Sequence, residues 1–385
     1  MKRKIQILLS VACVAALLGG CTKENEPIKK PASQKVEEEN PKQGNLDALN
    51  PTAYSNVSGI HLEPGSYISI IGKNSTSEFW KEVEAGAKKA EEDLNQMLGY
   101  KGEDKIRVNF SGPAKGENVE DQINILDEEL ARNPVALGMA IIDSGACEVQ
   151  FDLAAENGIP IVAFDSGSDY QDIQAMSSTN NSEIGKVAAR QLASLIGDSG
   201  KVAVFVHDTA STSAKQRETA FLNEMAATYP EISVPVIYHL DEMEEMAKNI
   251  AKERNEGKQE GEEEVAAEEL TQTEVIRYLL EKNSDLKGCF ATNVDASQEL
   301  LKAVNEMKLD IPVIGVDGGK EQMKALEEER LDGLIVQNPY GMGYAVVVSA
   351  ARAALGMGNE AFIDTGFIWV TKGNMNTKSI QKMLY

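Results

Sequence analysis

Short β-rich, apolar runs recur along this chain, at residues 67–72, 106–112, 136–143, 159–165, 201–208, 234–240, 287–293, 313–317 and 334–338. Between most of them lie stretches with apolar residues at helical spacing. Val119, Ile123, Leu126 and Leu130 mark one such stripe, and Ile184, Ala188, Leu192 and Leu195 another. Near-continuous apolar strands that alternate with amphipathic helices build parallel sheets covered on both faces. The spacing is too irregular for a solenoid. About 320 residues take part in this alternation, more than one core usually organises, so the pattern predicts an α/β fold of two doubly wound lobes.

The start of the chain sets the compartment. Lys2, Arg3 and Lys4 precede an apolar run over residues 5–18, which ends in Leu18-Gly19-Gly20-Cys21. The run is shorter than the ~20 residues that a membrane-spanning helix needs and reads as a signal-peptide core. Its end resembles a bacterial lipobox. Residues 1–20 are therefore expected to be removed and Cys21 to carry lipid. The protein would then sit on the extracytoplasmic face of a bacterial membrane, touching it through the lipid alone. Residues 21–63 are rich in Lys, Glu, Asn, Pro and Gln, and are expected to form a flexible tether.

Cys13 falls in the discarded segment. Cys147 and Cys289 are read as buried free thiols, with a disulfide as the alternative in an oxidising compartment. There is no CxxC or Cys/His cluster, and His61, His207 and His239 are scattered, so neither a metal nor a cofactor is expected. The net charge of −23 argues against nucleic acid as a partner. Residues 241–274 carry thirteen acidic and four basic side chains and break the alternation. They read as an inserted solvated helix or loop, centred near 253–273.

Several familiar motifs fail. Gly318-Gly319-Lys320 resembles the end of a phosphate loop, but Ile314 stands where the first glycine belongs and Glu321 replaces the hydroxyl residue. Gly341-Met342-Gly343 lacks the strand context of a dinucleotide site. No GxSxG elbow is present.

What remains is a set of polar residues at strand C-terminal ends, where open α/β sheets bind ligands. Asp165 ends IPIVAFD, Asn293 ends GCFATN, Asp317 ends IPVIGVD and Gln337 nearly ends LIVQN. Arg217 lies in the helical stretch STSAKQRETAF that follows another strand. Any one of these could be a turn or capping residue; their shared edge suggests a site. The first strand–helix corner, IGKNSTSEFWKEVE, adds Phe79 and Trp80, which cannot share one helix face.

These segments, in this order, resemble the periplasmic sugar-binding proteins of the ribose and galactose type, the ligand receptors of ABC importers. YISIIGKNSTSEFW, IPIVAFDSG, STSAKQRETAF, CFATNVDAS, IPVIGVDGG and GLIVQNPYGMG carry the likeness over roughly residues 65–377, the acidic insert apart. The resemblance implies the type I periplasmic binding protein fold: two Rossmann-like lobes joined by a three-crossover hinge. Residues 64–178 with 338–366 would form one lobe, and 179–337 with 367–377 the other. The crossovers would fall near 166–179, 337–340 and 366–369. It implies ligand contacts at Ser77, Phe79, Trp80, Asp165, Arg217, Asn293, Asp317 and Gln337, with the aromatics lying over the C–H faces of a sugar ring.

The lettering departs from that of the ribose and galactose receptors at Ser77, Ser166, Val294, Ser211 and Ser213, so the implied ligand is a monosaccharide, an unusual sugar or a polyol. The implied protein is a monomeric solute-binding protein that serves ABC permease subunits, or alternatively a receptor for a sensor kinase or chemoreceptor. A glycosidase pair formed by Asp165 and Asp317 is disfavoured, because Arg217 would hold both acids ionised.

Overall fold

A computed structural model describes residues 41–256, 258 and 264–385. The signal peptide, Cys21 and the middle of the acidic insert lie outside the described residues.

The strands run in chain order as β1 (Tyr67–Ile71), β2 (Arg107–Ser111), β3 (Ala136–Met139), β4 (Ile161–Phe164), β5 (Ile173–Ser178), β6 (Gly200–Val206), β7 (Ile232–His239), β8 (Leu286–Ala291), β9 (Val313–Val316), β10 (Gly333–Gln337), β11 (Phe362–Asp364) and β12 (Phe367–Val370). They form two six-stranded sheets, in the orders β11-β5-β4-β3-β1-β2 and β12-β10-β9-β8-β6-β7. All pairings are parallel except β10 with β12. Parallel pairing needs helical crossovers, which cover both faces of each sheet. That is why β3, β4, β9 and β10 are buried along their whole length.

In each sheet the strand order reverses beside the first strand: β1 lies between β2 and β3, and β6 between β7 and β8. Such a reversal leaves a crevice at the strand C-terminal ends.

The chain passes between the sheets three times. After β5 it enters the helix Asn181–Ile196, whose Ile184, Ala188 and Leu192 pack with Val202 and Val204 of the second lobe. After β10 it returns through the helix Pro339–Ala354, whose Val346 and Val347 lie in the first lobe's core. Between β11 and β12 it crosses again. The helix Glu78–Leu98 packs closely on Pro339–Ala354. A Cβ on Gly86 would run into the Tyr340 carbonyl, and one on Gly343 into that of Val83, so both positions need glycine.

The expected tether fails as a tether from residue 41 onward. Leu46, Leu49, Tyr54, Val57, Ile60 and Leu62 are buried in the first lobe's core, and Asn50 makes a two-way backbone bridge to Asp364. Composition averaged over 22–63 hid these apolar anchors, which are spaced widely among polar residues. Asn45 donates to Asn338 Oδ1 at 2.9 Å, and Asn338 Nδ2 donates to the carbonyls of Asn45 (2.7 Å) and Thr365 (2.8 Å). This segment therefore sits on two of the three passages.

The flanks of the acidic insert also belong to a core. The helix Met243–Asn255 buries Ala247, Ile250 and Ala251, and Leu270 is buried ahead of the helix Gln272–Lys282. Among the described residues, no helix is long and apolar enough to cross a membrane.

Candidate ligand-binding site

A cavity of about 290 Å³ lies between the two sheets at their strand C-terminal ends. All eight residues singled out from the sequence are in its wall. They come from loops that the fold brings together, and their local roles explain how each is held.

Ser77 caps the helix Glu78–Leu98, its hydroxyl accepting from the Trp80 N–H at 3.5 Å. The next turn presents Phe79 half-buried, while Trp80 is buried with its ring edge-on to Phe164, centroids 6.1 Å apart. The two neighbours meet T-shaped at 5.1 Å. Trp80 is thus a core residue whose edge reaches the cavity, and Phe79 is the more accessible ring. Asn293 caps the helix Val294–Met307, its Oδ1 accepting from the Ala296 N–H at 2.8 Å. Capping fixes its side chain at the cavity wall.

The two aspartates that follow β4 and β9 both take positive φ, 56° at Asp165 and 81° at Asp317. Non-glycine residues adopt this region at a cost, and such strain concentrates at functional sites. Asp317 is tightly supplied with donors. Gln337 Nε2 lies 2.8 Å from Oδ1, the Val294 N–H 3.1 Å from Oδ2, and the Tyr385 hydroxyl 3.4 Å from Oδ1. The Gln337 Oε1 atom is buried without a protein partner, an acceptor left for a donor from outside the chain. Arg217, 2% exposed, donates from Nε to Asn181 Oδ1 (2.9 Å) and from Nη1 to the Thr292 carbonyl (2.6 Å).

Other wall residues, Lys73, Glu117 and His207 among them, were not singled out from the sequence. Lys73, 2% exposed, sits just beyond β1 with its Nζ 3.5 Å from Asp165 and 3.9 Å from Glu117. Burial opposes its charge, but Glu117 and Asp165 together outweigh burial and raise its pKa, so it is a cation. Glu117 is pushed up to about 7 by desolvation, with Lys73 opposing the shift.

His207, at the end of β6, is lowered to about 3 by burial and is neutral. The Thr292 hydroxyl accepts from the His207 backbone N–H (3.1 Å) and lies 2.7 Å from its Nδ1. Its Nε2 lies 3.5 Å from Asp208. Lys73 and His207 obey the same strand-end rule as the aspartates, whereas Glu117 lies in a loop with no pattern to mark it.

Burial lowers the pKa of Arg217 yet leaves it a cation, and burial raises that of Asp317 against the pull of Arg217. Lys73 and Asp165 come from one lobe, Arg217 and Asp317 from the other, so each lobe brings both signs of charge. Fixed donors and acceptors beside two aromatic rings can hold a neutral polyhydroxylated molecule, with hydroxyls bonded and apolar edges against Phe79. Cys147 and Cys289 are free and buried. Among the described residues, no group of His, Cys, Asp and Glu is placed to hold a metal ion.

Known proteins resemble this chain in sequence and fold. Over 223 residues the chain is 24% identical to the ribose import binding protein of Bacillus subtilis, a match covering 58% of this chain and 61% of that protein. It thus spans less than two thirds of that relative. A carbohydrate transporter solute-binding protein from Agrobacterium radiobacter, solved in complex with D-arabinose, is 29% identical with a TM-score of 0.68, over 83% of this chain and 99% of that one. An ABC transporter solute-binding protein from Agrobacterium vitis, solved with bound D-fucose, superposes with a TM-score of 0.68 at 24% identity, over 83% of this chain and all of that one. Residues 68–358 match the periplasmic binding protein domain, and with its two six-stranded α/β lobes this chain belongs to that family, in the type I fold.

Proposed function

We propose that this chain is a lipid-anchored, extracytoplasmic solute-binding protein that captures a monosaccharide, or a similar polyhydroxylated molecule, and delivers it to an ABC importer. It is a binding protein, not an enzyme. The observation that carries the reading is the cavity itself. Buried Lys73 and Asp165 from one lobe face buried Arg217 and Asp317 from the other across about 290 Å³, with Phe79 beside them and Gln337 Oε1 unpartnered. A solute touching both lobes at once favours the closed arrangement over the open one, and release follows when the lobes part about the three crossovers. The D-arabinose and D-fucose named for the two solved relatives support a monosaccharide.

The test is calorimetry and thermal melting against D-ribose, D-arabinose, D-fucose, D-galactose, D-glucose and D-tagatose. A sugar at 100 times its Kd should add about 2.7 kcal/mol of stability. No heat and no melting shift with any of them would end the monosaccharide reading.

The anchor rests on the Lys2-Arg3-Lys4 start, the apolar run and Leu18-Gly19-Gly20-Cys21. Cys21→Ser is expected to leave the chain unprocessed or to release it from membranes. Wild-type chain without lipid mass at Cys21 would refute the anchor and leave the cleft untouched. Stable attachment requires at least two acyl chains, since one binds only marginally.

A further inference from the structure

We propose that Tyr385 is a positioning residue of the ligand site, one that orients Asp317 on the second lobe and backs Phe79 on the first. Neither the sequence pattern nor the comparisons single it out, and it lies beyond the residues that match the family domain.

The segment that follows the helix Lys378–Gln381 folds back onto the second lobe, where Met383 is buried and Leu384 and Tyr385 pack against the core. The Tyr385 hydroxyl makes two contacts at the site. It accepts from the Gly318 N–H at 3.2 Å and lies 3.4 Å from Asp317 Oδ1. An oxygen that already accepts from Gly318 has its own proton left to donate, and the carboxylate is the acceptor beside it. Burial, and after it the charge of Asp317, raise the pKa of this phenol, so the proton stays on the oxygen. The residue at which this donor is aimed stands at φ 81°. A residue strained at its backbone holds its place only when its surroundings over-determine it, and Tyr385 supplies the third donor to Asp317 after Gln337 and Val294.

On its other side, the Tyr385 ring meets the Phe79 ring T-shaped, centroids 6.1 Å apart. Phe79 belongs to the first lobe and Asp317 to the second, so one side chain touches site residues of both. A second cavity of about 330 Å³ shares Phe79 and Asp317 with the first and has Tyr385 in its wall.

The proposal rests on the sugar-binding reading, and the experiment separates the two. Full chain in mild detergent is titrated calorimetrically with the six sugars named above, and whichever binds wild type is then titrated into Tyr385→Phe and Tyr385→Ala. Tyr385→Phe keeps the ring and loses the donor. It should bind about three- to tenfold more weakly, the worth of one ordinary hydrogen bond, and the sugar-free chain should still melt cooperatively, lowered only by the lost Gly318 contact. Tyr385→Ala should lose more, because Phe79 loses its backing as well.

The hydroxyl's effect should also shrink at least twofold in an Asp317→Asn background, whose neutral amide oxygen accepts more weakly; a merely structural role would leave the two changes additive. Wild-type affinity in Tyr385→Phe, or additivity with Asp317→Asn, overturns the positioning role while sugar binding stands. If wild type binds none of the six, the monosaccharide reading falls and this proposal falls with it.

Discussion

Phe79 and Trp80 adjoin in sequence but differ in what they hold together. Trp80 packs on Phe164 and closes over Gly72, where an added Cβ would meet its ring at 2.9 Å, whereas Phe79 stays half-exposed at the cavity. Trp80→Ala should therefore destabilise the sugar-free fold by about 3–5 kcal/mol, the usual cost of emptying a buried aromatic site. Phe79→Ala should melt close to wild type and lose about 1–2 kcal/mol of sugar affinity through lost ring contact. Paired melting and calorimetry decide it; a Phe79→Ala chain that melts as early as Trp80→Ala would make both rings structural. The sequence rule that adjacent helical residues face apart was enough to foresee such a split, but not which ring goes inward. The strand-end acids were legible for a local reason, since each follows its own apolar run. Tyr385 was not, because its partner lies 68 residues away and no spacing rule spans that distance.

At the scale of elements, the long apolar runs of the sheets could be read from the sequence, and three strands could not. β5 reads IQAMSS, with too few apolar residues to stand out, and β11 and β12 hold three and four residues. All three were found only because a sheet was there to receive them. The acidic insert shows the reverse error, since charge count masked structure in its flanks. Asn255 exchanges two hydrogen bonds with Val265, at 3.0 and 2.9 Å, and Glu253 bonds to Tyr278 and Lys282, so the two ends of the insert are fastened near each other. Replacing residues 257–263 by a Gly/Ser turn should then leave sugar affinity within about twofold, because a short connection between fixed ends adds little closure entropy and the fastening residues Glu253, Asn255 and Val265 are not among those lining the cavity. Leu270→Ala, by contrast, should cost about 2–5 kcal/mol of stability. Denaturant melts and calorimetry on the two variants test the pair of statements; a tenfold loss of affinity in the first, with the fold intact, would make the insert a lid over the cleft.

For the molecule as a whole, the two lobes repeat one plan, and their partnership depends on three thin passages. One of these carries Asn338, whose side chain caps the helix that follows, accepting from the Gly341 N–H at 2.9 Å, while also tying Asn45 and Thr365 together. The first described residues therefore lie beside the hinge rather than on the outer rim of a lobe. For the lipid anchor proposed here, a pull arriving at the first described residues would act close to the pivot, with a short lever arm. Tension from the membrane would load the pivot without prising the jaws apart, and the cleft would be free to open and shut while its owner stays moored.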